Sequence, residues 1–76
     1  MIYGISIKPV NADNLNLMFC IDEVLGSFGN KYKVSESELK KLELWLESES
    51  TSIGIKCENG RIIFLNKHNI QYAITY

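Results

Sequence analysis

The sequence predicts a small α+β domain, in which a mostly antiparallel sheet of about four strands packs on one face against one or two helices. Segments near both ends of the chain alternate apolar and polar residues with the period of a β-strand. A hairpin signal, Asn59-Gly60, lies between two further apolar segments. Between these regions one stretch has the apolar spacing of a helix and begins with a capping signal. A chain of 76 residues is short enough that we expect residues 1–76 to form a single domain.

The first predicted strand lies at the start of the chain. Ile5 and Ile7 alternate with Ser6 and Lys8, and Pro9 ends the segment because it cannot donate a ladder hydrogen bond.

The segment Leu15–Leu25 is compatible with two structures. Its leucine and methionine content favours a helix, with Asp13 as the N-cap and Gly26 just past the C-terminal end. A strand is the alternative, because apolar residues also occur at every second position: Leu15, Leu17, Phe19 and Ile21. We predict the helix, followed by a loop over Ser27–Asn30 and a short strand over Tyr32–Val34.

The clearest signal for a helix is the capping box Ser35-Glu36-Ser37-Glu38. Ser35 can accept from the backbone N–H of Glu38, and the Glu38 carboxylate can reach back to the backbone of Ser35. The helix is predicted to extend to about Ser48. Its apolar face would consist of Leu39, Leu42, Trp45 and Leu46, whereas Leu44 projects from nearly the opposite side.

Two strands, Ile53–Cys57 and Arg61–Asn66, are predicted to form a hairpin around Asn59-Gly60. A type I′ turn fits this dipeptide, because both residues tolerate a positive φ. The resulting register would pair Cys57 with Ile62 and Ile55 with Phe64, so that Ile62 and Phe64 face the core. Ile63 and Leu65 would then lie on the outer face. A last strand is predicted from Ile70 to Tyr76, after a polar break.

The chain is predicted to form a homo-oligomer. A domain of this mass buries only about 60% of its surface on folding, which leaves a marginal core. Leu44, Ile63 and Leu65 all lie outside the predicted core, and we expect them to form a protein interface.

Charge and cysteine content narrow the possible functions. The net charge of −1 disfavours nonspecific nucleic-acid binding, which depends on Lys and Arg neutralising phosphates. Cys20 and Cys57 are far apart in the chain, and no pair of Cys or His residues has metal-ligand spacing. The sequence shows no secretory signal and no apolar run long enough to span a membrane, so we expect a cytoplasmic protein with buried thiols. No metal, cofactor or catalytic residue is predicted.

One polar cluster is a candidate binding site for a nucleotide or RNA, because it combines cations, a titratable ring, amides and an aromatic ring. Its members are Arg61, Asn66, Lys67, His68, Asn69 and Tyr72. The segment Gly60–Ile70 resembles the last strands of the bacterial Sm-like RNA chaperone Hfq. In that family a Lys-His pair helps bind uridine-rich RNA, so the resemblance implies such a role for Lys67 and His68. A polar turn that links two strands is the structural alternative.

The sequence as a whole predicts a small, non-catalytic, intracellular binding protein that acts by occupying, and so inhibiting, a protein partner. Its many Ile, Asn and Lys residues indicate an AT-rich genome, such as that of a low-GC bacterium or its phage. A nucleotide- or RNA-binding module that uses the cluster from Asn66 to Tyr72 is the second hypothesis.

Overall fold

The computed structural model of the chain describes residues 2–21 and 30–76. It confirms the α+β class: six strands and one helix form the described part, together with a short 3₁₀ turn. In chain order these are β1 (Gly4–Pro9), β2 (Leu17–Cys20), β3 (Asn30–Lys33), α1 (Glu36–Leu46), β4 (Ser52–Lys56), β5 (Ile62–Asn66), the 3₁₀ turn (Lys67–Asn69) and β6 (Ile70–Thr75).

The strands divide into two sheets. Four of them form a sheet in the order β3-β2-β1-β6, in which only the β2–β3 pair is parallel. The hairpin of β4 and β5 forms a separate two-stranded antiparallel sheet. The two sheets are connected in two ways within the described residues. The 3₁₀ turn links β5 directly to β6, and the Glu58 N–H, next to the hairpin turn, donates a 2.9 Å hydrogen bond to the Lys33 carbonyl at the end of β3.

The core lies where the inner faces of the two sheets meet the apolar face of α1. Strands β1, β2, β4 and β5 contribute alternate residues to it, as the two-residue period of a strand requires. Phe19 pairs with Ile5 on one side and with Tyr32 on the other, and the Phe19 and Tyr32 rings stack with centroids 5.5 Å apart. Among the described residues, the buried members of this core cluster are Ile5, Ile7, Phe19, Val34, Leu39, Leu42, Trp45, Ile55, Cys57 and Leu65.

The helix predicted over Leu15–Leu25 is wrong, because Leu17–Cys20 forms strand β2. This strand hydrogen-bonds to β1 on one edge and to β3 on the other. Pairing on both edges places Phe19 in the core, and such tertiary pairing outweighs a weak local preference for helix. The predicted continuation past Ile21, with Gly26 and most of the loop, lies outside the described residues. The short strand predicted over Tyr32–Val34 is present as β3, but it spans Asn30–Lys33 and ends one residue earlier.

The N-terminus of α1 is capped by Ser35, as predicted. The Ser35 hydroxyl accepts from the backbone N–H of Glu38 at 3.3 Å. The reciprocal half of the capping box is wrong, because the Glu38 carboxylate turns toward Lys41 at 2.8 Å and accepts from the Lys56 N–H at 3.5 Å. The hydrogen bond from Lys41 is the largest of the effects that hold the pKa of Glu38 below its ordinary value. Glu38 therefore connects the helix to β4.

The hairpin has a different turn, and hence a different register, from the predicted one. The Gly60 N–H donates to the Cys57 carbonyl at 3.0 Å, the Cys57 N–H donates to the Arg61 carbonyl at 2.7 Å, and Gly60 has a φ of +89°. Asn59 is not at positive φ, so the loop is a type I turn followed by a glycine bulge, not a type I′ turn. The extra loop residue shifts the pairing by one position.

The shift exchanges the two faces of β5. Phe64 pairs with Gly54, and Leu65 pairs with Ile53. Leu65 is therefore buried in the core and Ile63 is half-buried against it, whereas Ile62 and Phe64 face outward. The prediction that Ile62 and Phe64 belong to the core is wrong.

Candidate functional site

The predicted ligand cluster is separated into two parts by the length of β5. Arg61 is exposed at the turn of the hairpin, whereas Asn66 lies at the other end of the strand. At about 3.3 Å per residue the two are roughly 16 Å apart along the strand. Arg61 therefore does not form one site with the residues of the 3₁₀ turn.

The two asparagines of the cluster build the turn itself. The Asn66 Oδ1 accepts the His68 backbone N–H at 2.9 Å and caps the 3₁₀ turn. The Asn69 carbonyl accepts the Val10 N–H at 2.8 Å and so holds the turn against the end of β1. His68 is exposed, and Tyr72 lies on β6 opposite Lys8. These contacts match the polar turn that was the structural alternative.

Lys67, the cation at the centre of the cluster, contacts the end of the helix. Its Nζ donates to the Ser48 carbonyl and lies 5.0 Å from the centroid of the Trp45 ring. Its backbone N–H donates to the Thr51 carbonyl at 2.9 Å. A positive charge is favourable at the C-terminal end of a helix, and a cation over an indole ring adds to this. Lys67 thus ties the segment after β5 to α1.

We expect the substitution Lys67→Ala to lower the free energy of unfolding by about 1 kcal/mol, because it removes both the hydrogen bond to Ser48 and the contact with Trp45. Lys40→Ala is the matched control, since Lys40 is an exposed helix lysine and alanine is at least as good a helix former. Urea denaturation of both variants measures the difference. Equal stability of the two variants would contradict a structural role for Lys67.

The cysteines lie in the interior of the molecule. Cys20 and Cys57 are both buried, and burial raises the pKa of the Cys57 thiol, with the charge of Glu38 adding to the effect. Cys57 lies at the turn end of the hairpin and His68 beyond its opposite end, so the two do not form a nucleophilic pair. Within residues 2–21 and 30–76, His, Cys, Asp and Glu form no group that could hold a metal ion. No helix in this part of the chain is both long and apolar enough to cross a bilayer.

The most exposed large apolar side chain of the described residues lies on the outer side of the hairpin. Phe64 is 78% exposed and its neighbour Ile62 is 52% exposed. A Cβ on Gly54 would lie 3.0 Å from the Phe64 Cε1 and 3.4 Å from the Ile62 Cγ2, so both side chains lean over this glycine. We call this surface the hairpin face: Ser52, Gly54 and Lys56 from β4, and Ile62, Phe64 and Asn66 from β5.

Of the three residues predicted to form an interface, only Leu44 is well exposed, at 58%. The type I′ register predicts Ile63 and Leu65 on the surface, and that register is wrong. Sequence reasoning missed Ile62 and Phe64 for the same reason. One signal in the sequence favours the observed register, because that register alone pairs Gly54 with Phe64. An aromatic ring commonly covers a glycine on the neighbouring strand.

Comparison of the chain with protein-family models, with curated protein sequences and with solved structures finds no match. The local resemblance of residues 60–70 to Hfq is therefore not accompanied by a match of the chain to that family.

Proposed function

We propose that this chain is a small, non-catalytic protein-binding module that occupies, and thereby inhibits, a protein partner in the cytoplasm. The observation that carries the proposal is the hairpin face, where Phe64 and Ile62 expose adjoining apolar side chains to water. Aromatic residues dominate the binding energy of many protein interfaces, because burying one ring removes a large apolar area from water.

The surroundings of Phe64 also support a protein contact. The apolar centre of the hairpin face is bordered by Ser52 and Asn66 at one end and by the exposed Lys56 at the other. An apolar centre within a polar rim is the usual anatomy of a protein interface. A complementary partner would offer an apolar pocket for the Phe64 ring and an acidic group near Lys56.

The nucleotide- or RNA-binding alternative has weaker support in the geometry. An anion bound at Lys67 would compete with the contacts that this residue makes to Ser48 and Trp45. His68 is exposed and could reach a ligand, but Arg61 lies at the far end of β5. Calorimetric titration with nucleotides and a short uridine-rich RNA tests this function. Heat that disappears in His68→Ala would favour it.

The protein-binding function can be tested by photocrosslinking in the native host cell. We expect benzoylphenylalanine incorporated in place of Phe64 to form an adduct with one other protein of defined mass. The control carries the same photoreactive residue at Lys40, which is exposed on the helix and lies outside the hairpin face. Once mass spectrometry has identified the captured protein, Phe64→Ala should weaken its binding to the purified chain about 30-fold, as expected for an interface hot spot.

Two results would count against this function. One is the same set of adducts from position 64 and position 40, which would indicate random encounters. The other is unchanged affinity of the captured protein for the Phe64→Ala variant.

A further inference from the structure

One edge of β6 is not paired with any strand in the described part of the molecule. The strand is the last member of the order β3-β2-β1-β6 and pairs only with β1. Its sequence, IQYAIT, contains no charged residue and no proline. The opposite edge strand, β3, carries Lys31 and Lys33, and charged residues of this kind protect exposed edges from pairing. The β6 edge lacks that protection.

The backbone hydrogen bonds show which residues of β6 point toward this edge. The Tyr76 N–H donates to the Gly4 carbonyl at 2.8 Å, and the Gly4 N–H donates to the Tyr76 carbonyl at 3.4 Å. Directions alternate along an antiparallel strand, so Ile74 and Tyr72 also turn their backbone groups toward β1. Ala73 and Thr75 therefore direct their N–H and C=O groups to the unpaired edge.

We propose that two copies of this chain pair through their β6 edges, antiparallel, about a two-fold axis at Ala73. In that register Ala73 exchanges two hydrogen bonds with Ala73 of the second copy, as its outward backbone groups allow. The four-stranded sheets of the two copies then join into one continuous sheet. The occupant of the β6 edge is thus a second copy of the chain.

The side chains on β6 match their own copies in this register. Tyr72 lies opposite Ile74 of the second copy. No backbone hydrogen bonds join the two copies at this pair, which is where side chains of an antiparallel pair approach most closely. Aromatic and β-branched residues form favourable cross-strand pairs, and Tyr72 and Ile74 are 48% and 45% exposed in the single chain. Gln71 lies opposite Thr75, which pairs polar with polar. No like charges meet, because the strand has none.

A single strand edge is a small interface beside the roughly 1,600 Å² of a standard protein complex. The fraction of the chain that is dimeric is therefore expected to rise with protein concentration. Sedimentation equilibrium from about 5 to 500 μM should show the mass rising from 8.7 kDa toward twice that value. A mass of 8.7 kDa across this range would overturn the proposal.

Two double variants test the register. Tyr72→Glu with Ile74→Glu places like charges opposite each other across the axis, and we expect it to remain monomeric at all these concentrations. Tyr72→Glu with Ile74→Lys places opposite charges there and should retain the dimer. Each Glu at position 72 lies beside Lys8 of its own chain, so both variants should fold, which circular dichroism checks. Dimerisation of the first variant, or failure of the second to dimerise, would contradict the Ala73-centred pairing.

Amide hydrogen exchange gives a second, independent measurement. The Tyr72 and Ile74 amides bond to β1 and should be protected at every concentration. The Ala73 and Thr75 amides should gain protection only as the dimer forms, and exchange that does not depend on concentration would overturn the proposal. The hairpin face lies on the other sheet, so Phe64→Ala should leave the dimer mass unchanged. Dimerisation and partner binding can therefore fail separately.

Discussion

The substitution Leu65→Ala is expected to lower the free energy of unfolding by about 2–5 kcal/mol, the usual cost of truncating a buried leucine. Leu65 is only 8% exposed and faces the core between the hairpin and the helix. The adjacent substitution Phe64→Ala should cost about 0.5 kcal/mol or less, because a ring that is 78% exposed loses little contact. The smaller change in side-chain size thus has the larger effect.

Urea denaturation of the two variants, with the wild-type chain as reference, measures this ranking. It follows directly from the three-residue loop of the hairpin, because a type I′ turn would bury Phe64 and expose Leu65 instead. The reverse ranking would show that the hairpin pairs in the type I′ register. The same measurement establishes that Phe64→Ala remains folded, as the binding experiments require.

The substitution Gly60→Val is expected to destabilise the chain by at least about 1 kcal/mol, because a β-branched residue is strained at positive φ. Gly60 has a φ of +89°, and a Cβ built on it meets nothing within 4 Å. The cost would therefore come from backbone conformation and not from a clash. Gly60→Asn is the matched control, since asparagine adopts the left-handed region with little strain.

Thermal unfolding distinguishes the two variants. We expect the melting temperature of Gly60→Val to fall several degrees below that of Gly60→Asn, given the size of the domain. Equal melting temperatures would mean that residue 60 does not hold a positive φ in the folded chain.

Local signals determined several elements correctly. Ser35 caps the N-terminus of the helix, because its hydroxyl accepts from the Glu38 N–H only three residues away. The apolar spacing of α1 places Leu39, Leu42 and Trp45 in the core and leaves Leu44 outside it. The strands at both ends of the chain follow from their alternation. Each of these features depends on contacts within a short segment, or on a periodicity that only one structure satisfies.

Other features depended on partners that are distant in the sequence. The composition of Leu17–Cys20 suits a helix, and it becomes a strand because β1 and β3 satisfy its backbone on both edges. Lys67 resembles a ligand-binding cation in the sequence, but the end of α1 brings Ser48 and Trp45 to it.

The hairpin separates most clearly what the local sequence determines, the reversal of the chain, from what the tertiary structure determines, the type of loop and the register of the strands. Asn59-Gly60 by itself determined that the chain reverses here, and that glycine takes the positive φ. The same dipeptide fits both a two-residue type I′ loop and a three-residue loop with a glycine bulge. Only the folded molecule selects between them, through the Cys57 hydrogen bonds to Gly60 and Arg61 and the burial of Leu65. A shift of one residue reverses every side chain of a strand, so this choice decided which residues form the core and which form the hairpin face.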